Sequence, residues 1–185
     1  NPTCLVAVDF CRLQQPLLID TNPGLVTTVY GRVQVAGITD RSTAVDADQN
    51  LIAQLGVGPD ASLPAANVAW SWTAATANAA YDGTAAGEPQ LDEYQATLAA
   101  PAVGVYDYAF RFSADRGLSW KYCDGAPGSS DGYQPAKAGD LRVTQPADPC
   151  SPNPCNSPPT DLCEGAVAVT YAVPGTCTAN GNLAS

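Results

Sequence analysis

Between Gly104 and Tyr122 the chain alternates between large and small side chains. Tyr106, Tyr108, Phe110 and Phe112 recur at every second position, with Asp107, Ala109 and Arg111 between them. Side chains leave a strand on opposite faces in turn, so the four rings share one face and the small or charged residues share the other. Ser113 to Gly117 supplies polar turn chemistry, and Leu118-Ser-Trp120-Lys-Tyr122 resumes the alternation. The pattern predicts a β-hairpin that ends at Cys123. Each buried ring removes roughly 150–250 Å² from water, so a second sheet must cover the aromatic face.

The same reading extends to the rest of the chain. Cys4 to Leu13 reads as a buried first strand, stopped by Gln15-Pro16. Leu25 to Gly37 is rich in β-branched residues and fits no helical period. An acidic loop from Thr39 to Asn50 leads to a short apolar strand, Leu51 to Val57, closed by a turn at Gly58-Pro59-Asp60. Trp70-Ser-Trp72 reads as a short strand within a loop-rich stretch, whose Ala-Ala-Thr-Ala-Asn-Ala-Ala segment suits a helical turn. Strands at Glu93 to Leu98 and Asp140 to Thr144 complete seven or eight short strands. The expected fold is all-β, an antiparallel immunoglobulin-like β-sandwich over residues 1–145.

Composition changes at Gln145-Pro146. Residues 146–160 hold six of the sixteen prolines, together with Cys150 and Cys155. Proline fixes φ and removes a ladder donor, so a stiff linker is expected here. Val167, Val169, Tyr171 and Val173 then share one face of a strand. Residues 146–185 are too few to bury a core unaided, so this small β tail calls for disulfide staples or docking.

Charge narrows the partners. Only 14% of residues are charged, against a usual quarter, and the net charge is −10. A nucleic acid or an anionic membrane surface needs cations that this chain lacks. No apolar run of about 18 residues is present to insert in a bilayer. A chain that starts at Asn1 and contains no Met reads as a mature, exported protein, secreted or held at a cell surface.

Seven cysteines without any histidine or C-x₂-C pair point to disulfides in an oxidising compartment more than to a metal site. Cys11 follows the first strand and Cys123 ends the hairpin, so this pair is placed to tie the sandwich together. The four tail cysteines, Cys150, Cys155, Cys163 and Cys177, allow three pairings. Cys4 is left over, as a free thiol, in a rearranged pairing, or in a bond to another molecule.

Five segments together, Asp9-Phe10-Cys11-Arg12-Leu13-Gln14, Val29-Tyr30-Gly31-Arg32-Val33, Ala53-Gln54-Leu55-Gly56-Val57-Gly58, Tyr106-Asp107-Tyr108-Ala109 and Trp120-Lys121-Tyr122-Cys123-Asp124, carry a resemblance. Over about residues 8–144 the chain resembles a β-sandwich module of exported multidomain bacterial proteins, which has no established function. The tail from Asp148 resembles Cys-rich repeats found beside such modules, and its cysteine order is similar to the first half of an EGF-like module. That resemblance implies Cys150–Cys163 and Cys155–Cys177 bonds. The last two cysteines of a full EGF-like module have no counterpart here.

Three candidate sites follow from the residues. Trp70, Trp72 and Trp120, with Tyr122, could stack on a sugar ring, although packing in a core is the simpler reading of Trp70 and Trp72, and more so of the Tyr106–Phe112 row. Asp46, Asp48 and Asn50 have the oxygen spacing of a calcium loop, but Leu51 and Val57 stand where an EF-hand needs Gly and Glu. Without histidine, acid–base chemistry would fall to carboxylates such as Asp92, Glu93 and Asp107, and no sequence context selects them. No other cofactor is expected. The expectation is a non-catalytic structural or adhesive protein that joins copies of itself head to tail, as in a filament, with either the Val167–Val173 strand or the Leu5–Phe10 strand completing a neighbour's sheet. The competing class is a carbohydrate-binding module for surface glycans.

Overall fold

A computed structural model describes residues 7–146, 151, 160, 162–170, 179–180 and 183–184. The chain divides into two compact units, Asn1–Thr144 and Gln145–Ser185. Ten strands belong to the first: β1 (Phe10–Gln15), β2 (Leu18–Thr21), β3 (Val26–Gln34), β4 (Ile52–Pro59), β5 (Ser71–Ala74), β6 (Thr76–Ala77), β7 (Asp92–Ala99), β8 (Gly104–Ser113), β9 (Lys121–Cys123) and β10 (Gly139–Val143).

Two sheets result. One has the order β1-β3-β7-β6, and the other the order β2-β10-β8-β4-β5, with β9 also paired to β8. Counting β1 and β2 as two halves of one strand, these are the two layers of an immunoglobulin-type arrangement. Every pairing in this unit is antiparallel except β2 with β10, which is parallel. Strand β8 is central: it pairs with β4 along one side, and with β10 and then β9 along the other.

Alternation decides which side chains face inward. Val29 and Val33 of β3, Tyr94 and Leu98 of β7, Leu55 of β4, and Tyr108, Phe110 and Phe112 of β8 share one core. The layers interlock through the rings. Phe112 meets Tyr94 edge-on at 5.7 Å between centroids. Phe110 lies on Gly31 so closely that a Cβ there would sit 2.5 Å from the ring. In antibody domains the two corresponding central strands carry a disulfide. Here the bridge is displaced to Cys11 on β1 and Cys123 on β9, with Cα atoms 5.5 Å apart and a sequence separation of 112. Closing a loop of that size contributes about 5 kcal/mol on the chain-entropy account. The Tyr106 hydroxyl donates to the Ala102 carbonyl at 3.1 Å, pinning the corner that leads into β8.

The structure departs from the sequence pattern in three places. The first strand begins at Phe10, although Val8 already belongs to the core. After Pro16 the chain crosses to the other sheet as β2, four residues too short to show an alternation. The alanine-rich stretch expected to turn helically is instead where the chain switches sheets, leaving β5 and entering β6 around Ala75. Its alanines carry no apolar stripe to hold a helix on a core.

In the second unit β11 (Leu162–Glu164) pairs with β12 (Val167–Val169) around Gly165, whose φ is +65°, and β13 (Ala179–Asn180) pairs with β14 (Leu183–Ala184). Cys163 is exposed and forms no disulfide among the described residues. Its expected partner Cys150 lies outside them, as do Cys4, Cys155, Cys177, Tyr171 and Val173.

Replacing Gly31 by Ala forces Phe110 off its seat. We expect a loss of about 1–3 kcal/mol, the usual cost of overpacking a tight core. Equilibrium urea unfolding of the oxidised variant measures it, and an unchanged midpoint would contradict the packing described.

Candidate functional site

The outer face of the six-stranded sheet carries the sequence-selected aromatics. On β4, Gln54, Gly56 and Gly58 point outward because Ala53, Leu55 and Val57 point in. Trp72 on β5 pairs with Gly56. The rings of Trp72 and Trp70 lie on Gly56 and Gly58, where a Cβ would come within 2.6 Å and 2.3 Å of them. Glycine is required here by close approach of the ring, as in other sheets where an aromatic covers a glycine.

A ladder grows from those two seats. Trp70 and Trp72 stack at 5.6 Å with planes 20° apart. The Arg111 guanidinium is held between Trp72 and Trp120, 4.1 Å from each ring. It also donates through Nε to Gln54 Oε1 at 2.8 Å. Tyr122 leans on Trp72 at 5.7 Å, and Tyr133 meets Trp70 edge-on at 6.3 Å. The Trp70 indole N–H donates to Ser62 Oγ at 2.8 Å. All three tryptophans named from the sequence are therefore brought together, but outside the core between the sheets. Their faces are largely taken by each other and by Arg111: Trp70 is only 6% exposed. Trp72, Trp120 and Tyr122 are half-buried. The sequence revealed that Trp70 and Trp72 share a face, but not the role of Arg111. The signal that points to it is Gly-x-Gly at 56–58 facing Trp-x-Trp at 70–72.

In the acidic loop the side-chain oxygens of Asp46, Asp48 and Asn50 are already engaged. Asp46 accepts from the backbone amides of Arg41 and Ser42, each at 3.0 Å. Asp48 accepts from the Asn50 amide at 2.9 Å and pairs with Arg41 at 3.3 Å. Asn50 Oδ1 accepts from Arg116 at 2.7 Å. No cluster of three or more metal-ligating side chains occurs among the described residues.

The three candidate carboxylates do not share a site. Asp92 and Glu93 leave opposite faces of β7. Glu93 points outward to Arg32 at 2.8 Å, in a network with Glu88 and Arg12. Asp92 is fully buried, with Oδ2 accepting from the Asp46 amide at 3.0 Å and Oδ1 unpartnered among the described residues. Burial pushes its carboxyl up to about 7. Asp107, on the outer face of β8 and 2% exposed, is raised to about 6, chiefly by burial and then by nearby Asp60.

One flank of the sandwich is open. Among the described residues, strand β5 ends its sheet and pairs only with β4. Strand β7 meets β6 only at Tyr94 and Gln95, which leaves the edge from Ala96 to Ala99 unpaired among the described residues. A cleft of about 310 Å³ runs between these edges over Leu55, Val57 and Leu98, walled by Thr73 and Thr97. It continues past Thr28 and Gln95 at one end and past Pro101 and Tyr106 at the other. Its lining contains no charged side chain. That is unusual on a chain carrying −10, and most of the few cations are held elsewhere, on internal acceptors.

Two outcomes follow from this geometry. Arg111→Ala should loosen the ladder, red-shift tryptophan emission and cost about 1–3 kcal/mol, two cation–π contacts and a hydrogen bond being lost; unaltered fluorescence would contradict the stacking. Because the folded-state pKa of Asp92 lies near 7, above its unfolded value, its neutral form favours the fold, and that contribution is present at low pH and lost as pH rises from about 4 to about 7. Asp92→Asn should therefore raise stability at pH 7 and above relative to the parent and flatten this part of the pH profile, as read by thermal melts across pH 4–8.

No protein-family model matches this chain, and no curated protein matches it in sequence.

Proposed function

We propose that the chain is a non-catalytic, extracellular structural or adhesive protein that joins copies of itself by β-strand addition. The observation that carries this reading is the open flank: two strand edges unpaired among the described residues, with an uncharged, partly apolar cleft between them. Unpaired edges are templates for another chain, and soluble proteins ordinarily blunt them with charge. This flank has none, while the remaining surface is strongly acidic. An added strand would gain backbone hydrogen bonds from either edge, and its inward side chains would rest on Leu55, Val57 and Leu98.

Two further features support it. The Cys11–Cys123 bridge suits an oxidising compartment, and among the described residues no helix is long and apolar enough to cross a membrane. The aromatic ladder, whose rings already stack on one another, suits a stiff sheet better than a sugar platform.

Light scattering of the intact, oxidised chain over a wide concentration range tests the proposal. Dimers and longer assemblies that grow with concentration are expected. A strict monomer at the highest concentration would overturn it.

A further inference from the structure

We infer that the open flank accepts the N-terminal segment of a second copy of this chain, residues Thr3 to Val6, as an added strand between β5 and β7. This rests on the self-association reading above and names its donor and acceptor.

Thr3-Cys4-Leu5-Val6 carries no charged side chain, and neither do Asn1 and Pro2 before it or Ala7 and Val8 after it. It is an apolar, β-prone run with Cys4 and Val6 on one face and Leu5 on the other. Such a strand inserted into the cleft would bring no charge against its uncharged lining, and it would bring no further negative charge to a protein at −10. An acidic peptide or a cationic one would find no partner on this lining.

Reach then decides whose cleft the segment fills. Val8 is buried in its own core, and the Asp9 amide donates to the Gln34 carbonyl at 3.0 Å, so the chain is anchored there. Cys11 lies opposite Val33, and Val33 opposite Asp92, so Cys11 and Asp92 stand at one level on β1 and β7. These strands run in the same direction. Leu98 is six residues beyond that level and Val8 three residues before it, a separation of roughly 30 Å along the sheet. From Val8 back to Thr3 the extended chain spans at most about 18 Å. The segment therefore cannot occupy its own cleft around Leu98, and a neighbour's is the one open to it.

Direction follows from the same placement. The donor leaves the β1 edge and the acceptor lies on the far side of β7, so each copy offers a donor at one edge and a cleft at the other. A contact of this heterologous kind repeats from copy to copy instead of closing as a pair.

The test uses two full-length variants, each checked by near-ultraviolet circular dichroism. Leu5→Asp with Val6→Asp puts charge on both faces of the donor and leaves the cleft intact. Thr73→Lys with Thr97→Lys puts charge in the acceptor through two exposed side chains. Light scattering should show the wild type assembled and each variant reduced to one chain's mass. Mixing the two variants should restore a species of two chains and no more, because only one good donor and one good cleft remain. If the wild type assembles and either variant assembles equally well, this donor or this cleft is wrong while the self-association reading stands. If both variants are monomeric and their mixture is too, the pairing of this donor with this cleft is refuted. A monomeric wild type overturns both.

Discussion

Aromatic rings seated directly on glycine backbone hold this sandwich together, and β8 is the strand on which they converge. Phe110 on Gly31 joins the two layers from within. Tyr108 lies on Gly139 of β10 in the same fashion. On the outside, Trp72 and Trp70 cover Gly56 and Gly58 of β4, and Arg111 of β8 extends their stack to Trp120. A glycine in a strand interior ordinarily weakens it, since it packs nothing and orders at a greater entropic cost. Here the missing side chains are replaced by rings from a neighbouring strand, and the weakness becomes a contact of large area.

This arrangement makes the six-stranded sheet thick on both faces. Its inner face meets the core, while its outer face carries the ladder, with a buried fringe of Asp107, Asp124 and Tyr133. The four-stranded sheet is covered differently, by the Arg12, Glu88, Arg32 and Glu93 network with Tyr81 packed against Arg32 at 4.9 Å. Both outer faces are thus occupied by the protein's own side chains. The flank between β5 and β7 is where, among the described residues, strand edges stand open.

Much of this was legible where the alternation is long. Tyr106 to Phe112 announced β8 and its inner face, and Cys11 with Cys123 announced the tie between layers, because a period of two sustained over seven residues has few other readings. Strands β2 and β6 were not legible, since four and two residues are too short for a period and their pairing is set by distant partners. Arg111 was hidden for another reason. On the sequence it is one charged residue on the polar side of a strand, and only the register of β4 against β5 and β8 brings Gln54, Trp72 and Trp120 around it. Asp92 and Glu93 show the same limit: adjacent carboxylates on a strand part company at the backbone, one to the core and one to an arginine.

The displaced disulfide changes how the domain would carry a load. A pull on the first strand is passed from Cys11 straight into β9 through a covalent bond, so the chain between the cysteines, a sequence separation of 112, cannot be drawn out. That withholds roughly 380 Å of extended chain. What remains to resist tension is the junction beyond the bridge, where β2 and β10 lie parallel and their ladder bonds would be sheared together instead of being opened one after another. A domain built this way stretches little before it breaks.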